Sequence, residues 1–581
     1  WHQMDRKSEE FGLSSQILSF VPADENVEIM KVSITNIGTE DVTFTGYGVF
    51  PIYGRSADNL RDHRHVTSLL HRIKTTKNSI VVKPVLSFDE RGHQQNHTVY
   101  YVSGVTGEGN APEAFYPCVN DFIGEGGSFD CPGAVYHNLK GVGADAFIDG
   151  YEAAGAMCFE KRMLKPGETV VYILLAGLDE SDNCHEESLA AFGSEELVNQ
   201  AFERTKKYWL EKLNVSFRTG ILDFDNFLGW VSFQPMLRRI YGCSFLPHHD
   251  YGKGGRGWRD LWQDCLALLI MNPKGVKEML LSNFGGVRID GTNATIIGAK
   301  QGEFVADRNH ITRVWMDHGL WPLMTTALYI DQTGDLDFLL QENGYFKDKQ
   351  IERGTGTDLK FFEGDKPVQK DVQEREYVGS VLEHLLVQNL TSFYEVGEHN
   401  HMRLRGADWN DALDMASKRG ESVAFTAAYA GNMELLADLI ESLAEKRNLT
   451  FIEVAEEMKL LFTDDLALYD SIEKKQELLA AYCASCGHVI SGEKACLDVA
   501  EAVKSLRSKA AWIKEHIRKN EWIEDGTDGW FNSYYDDHGR KVEGFIEERV
   551  RMMLTGQVFT IMSGTAKEEQ IAKIINSADK Y

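Results

Sequence analysis

The hydrophobic period changes at Ser194, and that change constrains the fold more than any other feature of the chain. Before it, apolar and polar residues alternate in short runs: Glu28–Asn36, Val42–Phe50, Thr98–Val102 and Glu168–Leu175. These runs are rich in β-branched and aromatic residues and are bounded by Gly, Asn or Asp, which predicts strands. Many short strands with long connections predict a sandwich, and Lys165-Pro-Gly-Glu168 predicts a turn entering an edge strand. After Ser194, Glu195–Leu213 spaces its apolar residues three and four apart, the period of a helix. Further helices are predicted at Leu261–Met271, Leu320–Thr333, Ser380–Tyr394, Ala427–Lys446 and Ala495–Lys519. Long helices separated by polar loops suggest a bundle, a solenoid or an α/α barrel. No repeat of 20–50 residues is found, which counts against a short-repeat solenoid. At 581 residues the chain exceeds what one core supports. The expected architecture is multidomain α+β: a β-sandwich over 1–194, a helical linker over 195–219 and a helical barrel over 220–581.

Charge removes several function classes. The formal net charge is −27, which repels phosphate backbones and anionic lipid, so neither nucleic acid nor a membrane is an expected partner. No apolar run approaches the roughly 20 residues of a membrane helix. The first residue is Trp1, with no basic region and apolar stretch after it, so no signal peptide is read. Nine cysteines do not make a disulfide scaffold in a chain of this length. Cys483 and Cys486 form a lone CxxC without a second pair, which reads as core packing, and a reducing, cytoplasmic location is expected.

The chemistry-bearing residues lie between the helices. His248–Asp264 (HHDYGKGGRGWRDLWQD) mixes four glycines with two arginines, two tryptophans and several acids. Aromatic faces stack on sugar C–H faces, acids and amides bind hydroxyls, and an arginine fork suits phosphate oxygens. The alternative is a structural loop with aromatic anchors. GKGGRG lacks the Gly-Lys-Ser/Thr ending of a P-loop, so nucleotide binding is not expected. A second loop, Phe393–Asp414, holds Asp408, Asp411 and Asp414, which share a face if the segment is helical. Crowding and burial against Trp409 would keep a carboxyl protonated, as the general acid of glycosidic cleavage must be. Asp caps are the competing role, so Asp408 is expected to cap or orient and Asp411 to act as the acid. His399 and His401 with Glu398 form a weak metal-ligand pattern, and no metal is expected.

GADWNDALD and GWRDLWQD, in this order and spacing, resemble the active-site loops of glycoside hydrolase family 94, the inverting sugar phosphorylases. Tyr394–Glu398 and Trp530–Asp537 resemble two further loops of that family. The resemblance implies a β-sandwich joined by helices to an (α/α)6 barrel. It implies that Asp411 protonates the glycosidic oxygen, that Trp409 lies at the sugar site, that Arg259 touches sugar and phosphate, and that Asp264 binds sugar hydroxyls. Arg256 joins the substrate-binding set for its charge and its place three residues before Arg259. Asp317 and His318 are expected to line the cleft, or else to cap a helix and sit satisfied. Within the family the chain looks most like the 1,2-β-oligoglucan phosphorylases, on the segments Tyr53–Arg72 and Leu86–His93 and on the long form of the first loop.

The implied reaction is phosphorolysis of β-linked gluco-oligosaccharides to α-glucose 1-phosphate, and the reverse synthesis. Inorganic phosphate is the co-substrate, no cofactor is expected, and a homodimer is left open. An inverting hydrolase needs a second carboxylate to activate water; anionic phosphate replaces that base. The family places a His and a Thr-Gly element of the phosphate site beyond the helix containing Gly556–Gly564, and no match for them is found before Tyr581. The chain is therefore expected to be a fragment, with a barrel lacking its C-terminal part, and to be inactive as given. An inverting hydrolase, an inactive carbohydrate-binding module and a sugar-transferring synthase domain are the alternatives.

Overall fold

The computed structural model describes all residues except 55–67, 90–91, 214, 242–255, 299, 307–313, 363, 365 and 547–548. The chain divides into two compact units. One holds Trp1–Asn214 and the other Val215–Phe245 with Gly254–Tyr581; the residues Leu246–Lys253, grouped with the first, lie outside the described ones. The class read from the sequence, a β-sandwich followed by a helical unit, is the observed one.

In the first unit an eight-stranded sheet runs in the order His2–Ser8, Leu13–Phe20, Val27–Asn36, Thr169–Asp179, Val99–Thr106, Ser79–Pro84, His71–Thr75, Phe147–Asp149. Every neighbouring pair is antiparallel. A smaller sheet of Ala114–Cys118, Ala153–Cys158 and Tyr47–Ile52 packs on one face, where Ile73, Ile80, Val82, Val102 and Leu174 meet Ile52, Phe115 and Met157. Gly155 lets the two sheets close, since a Cβ there would meet Val102 Cβ at 2.4 Å. The other face is covered by helices Cys184–Phe192 and Glu195–Lys212, which lay Cys184, Phe192, Val198 and Ala201 against Val81, Val99, Ile173 and Leu175. Ser194 caps the second helix, its Oγ accepting the Leu197 amide at 3.4 Å.

Two strand expectations change. Val42–Phe50 is two strands, not one: Val42–Phe44 pairs with Arg162–Leu164, and Tyr47–Ile52 pairs with Ala153–Cys158. The break falls at Gly46, where a Cβ would meet the Tyr172 ring at 2.9 Å. The turn Lys165–Glu168 forms, with Gly167 at φ 83° and the Glu168 amide on the Lys165 carbonyl, but it leads into the interior of the sheet. Thr169–Asp179 pairs on both sides, and its run Tyr172–Leu175 is buried on both faces, as a sheet covered on each side requires.

In the second unit helices pack on one another with loops crowded at their ends. Val381–Tyr394 is buried at all 14 positions and packs beside the 25-residue helix Val423–Arg447. That long helix also contacts Trp321–Thr333, Val499–Asn520 and Leu554–Met562. It starts at Ser422, whose Oγ accepts the Phe425 amide, and stops at Asn448 in a left-handed conformation with φ 54°. No helix among the described residues is long and apolar enough to cross a membrane.

Candidate active site

Three segments far apart in sequence converge on one guanidinium. Arg259 lies in the first turn of helix Trp258–Met271, and its Nη2 donates to Asp411 Oδ1 at 3.1 Å. Its Nε lies 3.2 Å from Asp317 Oδ2. The Asp317 side chain is fully buried, whereas that of Asp411 is 75% exposed. Burial pushes the Asp317 carboxyl up to about 6, although the Arg259 charge and the Trp321 hydrogen bond oppose it. Trp321 Nε1 donates to Asp317 Oδ2 at 2.8 Å, so one oxygen takes both partners while the buried Oδ1 has none among the described residues.

The backbone explains why these residues meet. Arg405 and Ala407 have φ of 56° and 142°, which breaks any helix before Asp408. The segment pairs instead with Val314–Met316, through a bridge from Trp315 to Arg405 and a 3.0 Å bond from the Met316 amide to the Ala407 carbonyl. Gly406 makes this approach possible, since a Cβ there would sit 2.9 Å from the Val314 carbonyl oxygen. Asp408 is buried; its Oδ1 accepts the Asn410 amide at 2.9 Å and its Oδ2 accepts Ser422 Oγ at 2.8 Å. Burial pushes its carboxyl above the usual range, and those hydrogen bonds oppose the shift. Asp411 then opens a short 3-10 turn, Asp411–Ala416, capped by Asn410 rather than by Asp408.

The shared helical face of Asp408, Asp411 and Asp414 is therefore corrected. Asp408 precedes the turn and is buried, while Asp411 and Asp414 are exposed. The expected burial of Asp411 against Trp409 is not observed, since both side chains are exposed, and the two tryptophans of the first loop turn to the core instead. Trp258 and Trp262 are fully buried, with Trp258 Nε1 bonded to the His318 carbonyl and the Trp262 ring packed on Phe284. They hold the core and offer no face to a sugar. Trp409 is 54% exposed, and its ring stands 6.3 Å from Trp321, which packs on Phe425 and Phe559. Asp264 is buried on the helix of Arg259. Arg256 belongs to a two-residue strand with Gly257 that pairs with Ile296–Ile297, and its side chain lies outside the described residues. So do residues 248–255 of the first loop. His318 is buried on Asn293 with its ring stacked on Trp315, and burial, with the Arg259 charge, holds it well below the usual histidine range.

One network escaped the sequence reading. Glu395 Oε2 accepts Arg353 Nε at 2.6 Å and its Oε1 lies 3.4 Å from Arg405 Nε. Arg405 Nη2 donates to the Arg353 carbonyl at 2.8 Å. The buried Arg353 and Glu395 thus fix Arg405, the residue just before Gly406–Asp414. The network's signal was Glu395 and Arg405 flanking the loop, but Arg353 is 52 residues from Arg405 and carries no motif.

The histidines of the weak metal pattern are committed elsewhere. His399 Nδ1 lies 2.6 Å from Glu421, His401 Nε2 lies 3.0 Å from Glu521, and Glu398 pairs with Arg419. Among the described residues no three His, Cys, Asp or Glu side chains are grouped to hold a metal. Cys483 and Cys486 are buried free thiols. Glu521 gives a pH expectation. Burial raises its carboxyl, but His401 and Lys541 outweigh this and bring it from 4.5 down to about 2. A depressed carboxyl adds stability above its unfolded value and loses it as pH falls through the folded one. Thermal stability is expected to fall from about pH 4.5 toward pH 2, and Glu521→Gln to flatten that fall. An unchanged slope in the variant would assign acid lability elsewhere.

Residues 3–195 match the glycosyl hydrolase 94 supersandwich domain, so the N-terminal unit is of that family's type. The chain is 22% identical over 574 residues to solabiose phosphorylase of Paenibacillus borealis, spanning 98% of this chain and 59% of that protein. It is 24% identical over 311 residues to cyclic beta-(1,2)-glucan synthase NdvB of Rhizobium meliloti (strain 1021), 52% of this chain and 10% of that protein. A bacterial glucoamylase complexed with acarbose superposes at a TM-score of 0.39 and 10% identity, over 92% of this chain and 70% of that one.

Proposed function

We propose that this chain, whose first 195 residues carry a glycosyl hydrolase 94 supersandwich, belongs to an inverting sugar phosphorylase with Asp411 as general acid. The observation that carries the reading is the Arg259–Asp411 contact, which sets an exposed carboxyl beside a cation suited to phosphate. The likeness to solabiose phosphorylase along nearly the whole chain supports the reaction class. Trp409 offers the sugar an aromatic platform two residues before the acid. Asp411 protonates the glycosidic oxygen; the C–O bond breaks as a phosphate oxygen attacks the anomeric carbon from the opposite side, converting a β-glucoside into α-glucose 1-phosphate. Asp264 and Arg256 complete the proposed substrate set. A β-1,2-linked glucan is the proposed substrate, supported by the likeness to a cyclic β-(1,2)-glucan synthase over half the chain.

The test gives the full-length protein β-1,2-, β-1,3- and β-1,4-linked gluco-oligosaccharides and solabiose, each with and without phosphate. Sugar phosphate is expected only with phosphate, and most from the β-1,2 linkage. A preference for another substrate overturns the linkage; phosphate-independent release of free sugar overturns the reaction and favours a hydrolase.

A further inference from the structure

We propose that Arg259 gates the acid: phosphate takes the Nη end of its guanidinium from Asp411, while Asp317 keeps the Nε end. The proposal rests on the phosphorylase reading above. One guanidinium bridges two carboxylates in unlike surroundings, Asp317 fully buried and Asp411 largely exposed. An exposed ion pair is weak and easily exchanged, whereas separating a buried one leaves an unpaired charge out of water. When an anion competes for Arg259, the contact with Asp411 is therefore the one that yields. Trp321 fixes Asp317 from its other side, so the carboxylate acts as a pivot.

The exchange has a chemical consequence. While Arg259 holds Asp411, the acid is turned to the guanidinium; phosphate on the Nη end releases it toward the glycosidic oxygen. Asp411 gives its proton to that oxygen, which leaves with the electron pair of the broken C–O bond, as an oxygen lone pair of phosphate forms the new bond to the anomeric carbon from the opposite side. Without phosphate the acid stays disarmed, so water finds no activated leaving group and hydrolysis is suppressed. Asp317 is thus a positioning residue acting through Arg259.

Calorimetric titration of inorganic phosphate into the full-length protein, without sugar, tests this. Asp411→Asn removes the competing charge at an exposed position and is expected to bind phosphate tighter than wild type, by up to about fivefold. Asp317→Asn, which keeps an acceptor for Trp321, is expected to bind it at least about tenfold more weakly. Phosphate affinity that is unchanged or reduced in Asp411→Asn overturns the gate, and so does unchanged affinity in Asp317→Asn. Turnover separates this from the underlying reading: Asp411→Asn that still performs phosphorolysis overturns the acid assignment, whatever its phosphate affinity.

Discussion

Asp411→Asn is expected to lower the rate of phosphorolysis by about 10²–10⁴-fold while leaving the melting temperature unchanged. The size follows from what a positioned general acid contributes when the leaving group is an alkoxide that must be protonated as it departs. The unchanged stability follows from where the side chain sits. It is 75% exposed, and its one described bond is to Arg259. The loop is held by other groups: Asp408 on Ser422 and the Asn410 amide, Ala407 on Met316, and Arg405 on Glu395 and Arg353. Asn keeps the shape but can neither give a proton nor pair with Arg259 as an anion. The loss should therefore fall on kcat, with KM for the sugar little changed, since Trp409 is untouched. A variant within about tenfold of wild type would remove Asp411 from the acid role.

Arg353→Met is expected to destabilise the protein by about 3–5 kcal/mol, read as a lower urea midpoint. Arg353 is 4% exposed, and its guanidinium bonds Glu395, the Asp290 carbonyl and Thr391 Oγ1. Its backbone sits at φ 53°, a strained value for a side-chain-bearing residue, held by the amide's bond to Asp290 Oδ2. Methionine fills similar volume but leaves the Glu395 carboxylate buried with Arg405 alone. Removing one partner of a buried pair costs more than replacing the pair, so Arg353→Met with Glu395→Gln is expected to recover part of the loss. A single variant with an unchanged midpoint would show that this triad does not hold the acid loop.

The fold class could be read because it rests on period. The switch from alternation to three-and-four spacing at Ser194 fell on an observed helix cap. The pairing partners could not be read: Lys165–Glu168 specified a turn, but nothing local says that Thr169–Asp179 pairs on both sides. The site was partly legible. The motifs named Asp411 and Arg259, and they meet across 152 residues of sequence. The geometry of the acids was not, because a regular three-residue spacing invites a helix that the extended backbone at Asn410, φ −91° and ψ 92°, interrupts between Asp408 and Asp411. The buried tryptophans had a signal that was outweighed by their polar neighbours. Trp258, Leu261, Trp262, Cys265, Leu268 and Leu269 recur at helical spacing, which marks a core face rather than a sugar platform.

Asp317 stood between two readings in the sequence, lining the cleft or capping a helix. Leu320, not Asp317, occupies the cap position of Trp321–Thr333, and the carboxylate turns to Arg259 and Trp321. That arrangement links the acid to the anion it is proposed to work with.

Phosphate, and not water, is the proposed nucleophile against a bond that Asp411 is proposed to protonate. Proton NMR of the first sugar product, from the full-length protein with a β-1,2-linked gluco-oligosaccharide and phosphate, tests it most directly. α-Glucose 1-phosphate is the expected product, absent when phosphate is withheld. Free glucose formed at the same rate without phosphate, or a β-configured sugar phosphate, would contradict it.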